Sequence, residues 1–209
     1  GSNWGTDVEV EGFQSGPDID SNARFNVIGA GYFTTMGVPV LAGREFTERD
    51  NESGPTVAIV NEAFLRKFDL GRDAVGKRMS ESGSDELDIE IIGIVADAKY
   101  SEVKDDVPPL FFRPWRQNED IGFMTFYVRT AGDPSQVMRS VMPLVARLDP
   151  NLPVEDLKTL PQQVRENVFL DRMIGTMSAA FAGLATLLAG LGLYGVLPYT
   201  VGRRTAQIG

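Results

Sequence analysis

The chain has 209 residues, 43% hydrophobic and 23% charged, with a net charge of −9 and neither histidine nor cysteine. Such a composition can bury a globular core. It excludes disulfides, thiolate nucleophiles, histidine-based triads and ordinary zinc sites, and the acidic balance speaks against nucleic acid as a partner.

VEVEGF, from Val8 to Phe13, alternates polar and apolar residues and predicts a strand, followed by a Gly/Pro/Asp/Ser loop to Asn22. RFNVIG predicts a second strand. GYFTTMG predicts one or two helical turns stopped by Gly37, and VPVLAGREF an extended segment with a glycine turn. TERDNESGP reads as a loop. TVAIV followed by NEAFLRKF predicts a strand leading into a short helix, with Asn61 as its N-cap. IEIIGIVADA, LFFRPW and MTFYVRT predict three more strands from their β-branched and aromatic residues.

Asp133-Pro134 opens the next helix, with Asp as the cap and Pro at the first helical position. Val137, Met138, Val141, Met142, Leu144, Val145 and Leu148 recur at helical spacing, and Pro143 should bend the helix. Thr159-Leu160-Pro161-Gln162 has the form of a capping box. No strong breaker follows until Pro198, so one continuous rod is predicted. The order of elements predicts a mixed α/β (α+β) domain with a partly antiparallel sheet.

From Met173 to Gly202 there is no charged residue. As a helix, roughly 30 residues at 1.5 Å each reach about 45 Å, more than the ~30 Å of hydrocarbon in a bilayer. A helix apolar on every side is otherwise found only at the centre of a much larger soluble domain, so 173–202 is predicted to span a membrane in contact with lipid. Gly175, Ala179 and Gly183 fall every four residues, as do Ala182, Thr186 and Gly190. Small residues at that spacing let membrane helices pack closely, although glycine is common in such helices anyway. Arg203 and Arg204 mark the cytoplasmic boundary under the positive-inside rule. Those two arginines are the only charges after Arg172, which leaves −11 on a domain expected to face the periplasm or exterior. No secretory signal opens the chain, so that placement implies a missing upstream segment.

Gly71 to Lys77 satisfies G-x-x-x-x-G-K. A P-loop needs Ser or Thr next and must join a strand to a helix, but Arg78 follows and the predicted helix comes before. Asp85, Glu86, Asp88 and Glu90 lack the spacing of a calcium loop. Asn51-Glu52-Ser53 matches a glycosylation sequon, a frequent chance occurrence. Glu45, Glu48 and Asp50 could form a carboxylate pair, but nothing around them resembles an active site. No catalytic residue, cofactor or metal ligand is therefore assigned.

TVAIVNEAFLRKF, AVGKRM, IEIIGIVADAKY and the tail RRTAQIG together resemble the MacB/FtsX-like permease family of ABC transporters, and the likeness runs from Arg24 onward. Gln207 stands where the family's R-R-T-x-E-I-G stretch has Glu. The resemblance implies a two-lobed extracytoplasmic domain over 1–172, with one lobe from 1–40 and 118–172 and an inserted lobe over 41–117. It also implies a second membrane helix over 173–202 and the cytoplasmic start of the permease region at 203–209. Implied partners are a cytoplasmic ABC ATPase subunit or domain, a second permease half (homodimer or fused pair) and a periplasmic adaptor. The implied role is non-catalytic: ATP hydrolysis inside drives movement at the bacterial inner membrane's outer face, for efflux, export or envelope remodelling. The alternatives are a membrane-anchored ligand-binding or sensor module, and an anchored enzyme, which would need two buried carboxylates facing a cleft.

Overall fold

Val8 and Val10 are buried while Asp7 and Glu9 are exposed, the period-two pattern of a strand with one covered face. This strand, β1 (Trp4–Val10), starts earlier than the sequence predicts and stops sooner. It ends because Phe13 N donates to Val10 O at 3.0 Å and Gly12, at φ 88°, turns the chain. The structure is a computed structural model that describes residues 4–14, 16, 19–81, 86–98, 107–118, 124–163, 165 and 176–190. The chain divides into two compact units, Gly1–Arg129 and Thr130–Gly209.

In the first unit, β2 (Asn22–Ile28), β3 (Val40–Gly43), β4 (Val57–Asn61), β5 (Arg78–Glu81), β6 (Ile89–Val95) and β7 (Leu110–Pro114) join β1 in one mixed sheet. Its order is β3-β6-β4-β7-β2-β1-β5, and β5 also pairs with β6. The last pairing closes six strands into a ring. β6 is shared on one edge, by β5 at Ile89 and Glu90 and by β3 from Gly93 to Val95. Parallel pairs (β2 with β7, β4 with β6) sit among antiparallel ones, as a partly antiparallel sheet requires. The sheet draws strands from both sides of residue 40.

One core cluster takes a side chain from every strand of the ring: Val10, Ala23, Val60, Met79, Ile91 and Phe111. Phe64 and Leu65 of α2 (Glu62–Lys67) and Phe68, which caps its C-terminus, join it. A second cluster holds Ile28, Val57, Ile59 and Phe112 with Phe33 of α1 (Tyr32–Met36). β4 feeds both clusters and is buried throughout, which explains its unbroken apolar run. α1 ends at Gly37, in the left-handed region at φ 74°, as predicted.

β3 lies antiparallel beside β6, and their backbones approach so closely at the paired Gly43 and Gly93 that both must be glycine. A Cβ on Gly43, which has φ 71°, would lie 2.2 Å from Ile92 O, and one on Gly93 would lie 2.4 Å from Arg44 O.

The sequence misplaced two strands. β5 carries no strand signal in the sequence, because only Met79 in it is apolar and large. MTFYVRT was read as a strand, but residues 124–130 lie outside the sheet. Both edges of β7 are taken, by β2 and β4, so the next stretch of chain has no place beside it. Tyr127 instead sets its ring edge-on to Tyr32 at 5.9 Å, and Arg129 Nη1 donates to Thr34 O at 3.2 Å. Phe126 and Val128, on either side of Tyr127, are 81% and 67% exposed.

In the second unit, α3 (Pro134–Leu148) begins as predicted, with the Asp133 carboxylate accepting from Ser135 N at 2.9 Å. Pro143 lies within it, and Met142, Leu144 and Leu148 are exposed. Residues 160–163 and 165 are helical, and Thr159 Oγ1 accepts from Gln162 N at 3.3 Å, the first half of the predicted capping box. Residues 176–190 are helical too. Among the described residues no helix is long and apolar enough to cross a membrane. The rest of the predicted span and its junction with the preceding turn lie outside the described residues.

Candidate functional site

The strand-to-helix corner at Asn61 is tied by three side-chain hydrogen bonds. Asn61 is 2% exposed, and its Oδ1 accepts from Phe64 N and from Leu110 N, both at 2.9 Å. Its Nδ2 donates to Pro108 O at 3.0 Å. One amide thus caps α2 and fixes the chain where β7 begins. Asp97, just past β6, accepts from Ala63 N at 2.9 Å and from Arg66 Nη2 at 2.6 Å. The start of α2 is therefore held from two strands.

A second set lies just beyond the Gly43–Gly93 pair. Asp50 is 6% exposed and accepts from both Arg44 guanidinium nitrogens at 2.7 Å, and from Thr47 N and Oγ1 at 2.7 and 3.0 Å. The Arg44 bonds hold its carboxyl below the ordinary range, against the opposing pull of burial, and the Thr47 bonds act with them. Glu45 reaches back to α1, where its two oxygens accept from Phe33 N at 2.8 Å and Thr34 Oγ1 at 3.0 Å. Glu48 pairs with Arg116. The three acids that the sequence places together are thus separated onto three different partners.

Arg113 of β7 and Glu81 of β5 form an ion pair at 3.0 Å, on the same rows as the interior residues Phe111 and Met79. Their strands are not neighbours, so the pair reaches across the ring. Gln117 gathers the loop before β4, accepting from Val57 N and donating to Asn51 O and Pro55 O.

Gly71 to Lys77 forms a 3₁₀ turn at Arg72–Ala74 and then leads into β5. Gly76 N donates to Ile91 O at 2.8 Å, and a strand rather than a helix follows, so this is not the frame of a phosphate cradle. Among the described residues no cluster of acids could hold a metal ion. A hollow lined by Phe46, Thr47, Asp50, Trp115 and Arg116 has a cavity volume of only about 10 Å³, far below the roughly 300–1,000 Å³ of ligand pockets. These side chains brace loops against the ring.

Of the predicted packing residues, Ala179, Ala182, Gly183, Thr186 and Gly190 lie on the helical stretch 176–190, and nothing stands within 4 Å of a Cβ built on Gly183 or Gly190. Thr186 Oγ1 donates back to Ala182 O at 2.8 Å. Gly175, Arg203 and Arg204 lie outside the described residues. Sequence reasoning missed Arg44, Asp97, Arg113 and Gln117, whose partners stand up to 66 positions away. No local pattern signals such pairs.

The model of the MacB-like periplasmic core domain family matches residues 5–144. Among curated proteins, the pyoverdine export ATP-binding/permease protein PvdT of Pseudomonas aeruginosa is 22% identical over 199 residues. That alignment covers 92% of this chain and 30% of the relative, so the chain spans under a third of that protein's length. Among solved structures, the periplasmic region of MacB from Actinobacillus actinomycetemcomitans is similar with a TM-score of 0.50 and 18% identity, covering 70% of this chain and 64% of that one. At that identity the likeness concerns the fold.

Proposed function

The chain belongs to the MacB-like periplasmic core domain family of ABC transporter permeases, and from that membership we propose that it is the extracytoplasmic part of such a permease together with one of its membrane helices. The family match over residues 5–144 carries this reading. The domain is a non-catalytic transmission element. A cytoplasmic ABC ATPase closes on nucleotide, and the movement passes through the membrane helices to the periplasmic face, where it drives efflux, export or envelope remodelling.

In this reading residues 173–202 cross the inner membrane and Arg203-Arg204 sit at its cytoplasmic side. Gly175, Ala179 and Gly183, with Ala182, Thr186 and Gly190, face a neighbouring helix. A second permease half completes the transporter, and an adaptor docks on the outer domain. The internal bracing of the first unit suits a body that must move as a whole, since Asn61 and Asp97 tie α2 to the sheet and Glu45 ties α1 to the loop after β3.

The test uses the full-length protein with its ATPase in lipid vesicles. These 209 residues contain no cysteine, so a label placed among them meets no competing thiol there. Distances between labels on the two copies of the outer domain should change when ATP is bound and recover after hydrolysis. Distances that ignore nucleotide, or a protein that recruits no ATPase, would favour the anchored sensor.

A further inference from the structure

We draw no further inference here: the strongest candidate, the outward-facing apolar row of Met124, Phe126 and Val128 on the extended segment that follows the ring of strands, carries nothing because nothing in the structure shows what covers it.

Discussion

The side-chain oxygen of Asn61 accepts the backbone N–H of Leu110, 49 positions away, at the same 2.9 Å at which it caps its own helix. Asn61→Ala removes both bonds and strands a buried N–H at the start of β7. Loss of a cap costs about 0.5–2 kcal/mol and an unsatisfied buried donor about 1–3, so a total near 3 kcal/mol is expected. Urea unfolding of the chain measures it. A loss under about 1 kcal/mol, the size of a cap alone, would mean that the Leu110 bond contributes nothing.

Gly43 and Gly93 are register partners where β3 and β6 approach closely, and alanine at either would strike a backbone oxygen. Gly76 offers the comparison, because its φ is 93° but its Cβ would meet nothing within 4 Å. Gly76→Ala should cost about 1–2 kcal/mol, the left-handed penalty alone. Gly43→Ala should lower the melting temperature clearly further, since it adds a collision to that penalty. Equal losses at the two sites would show that the close approach of β3 and β6 relaxes without cost.

Asp50 gives the fold a defined acid response. Its carboxyl titrates lower in the folded chain than in the unfolded one, so its contribution is complete above about pH 4 and is lost as pH falls through the folded value. Asp50→Asn should cost about 1–2 kcal/mol near neutrality, modest because the Arg44 end of the pair is half exposed to screening solvent. In unfolding curves taken from about pH 7 to pH 3, the difference between the two proteins should stay level and then narrow below about pH 4. A gap of constant size would show that the ionised form is not what matters.

Nucleotide should not bind the chain through Gly71 to Lys77. Gly76 N is engaged by Ile91 O, and the following residues enter β5. Titration calorimetry with Mg-ATP should show no heat of binding at micromolar concentrations. A signal abolished by Lys77→Ala would reverse the assignment.

Transmission through the membrane demands a stiff connection between the outer domain and the ATPase. In the full-length transporter, Ile174→Pro should kink the proposed rod at a cost of about 3 kcal/mol, next to Gly175, which already weakens a helix by about 1 kcal/mol. ATP hydrolysis should continue while export falls. Normal export by a variant whose helix is shown to be kinked would remove rigid transmission from the proposed mechanism.

Several elements of both units are legible in the sequence because their signals are local. Asn61 announces α2 by standing ahead of a short amphipathic run, Gly37 ends α1, and Asp133-Pro134 opens α3. β5 was hidden because it is a strand only by virtue of what lies on either side of it, β1 and β6. MTFYVRT misled for the opposite reason: its residues favour strands, but β7 is already flanked. The loop acids were recognised as a group, but their separate partners depend on folding that brings Arg116 and α1 beside them. The strand order itself has no local signature.

The four residues of β5 have an influence beyond their length. Because they join β1 to β6, peeling them away would uncover the backbone edges of two longer strands at once. Exposed edges are templates on which other molecules add strands, so partial opening at this seam leads to aggregation rather than to a harmless loosened monomer. Retention of Arg78 to Glu81 in its double pairing is therefore a matter of colloidal behaviour as much as of fold. Handling that frays this seam would cost solubility before it cost helix or core.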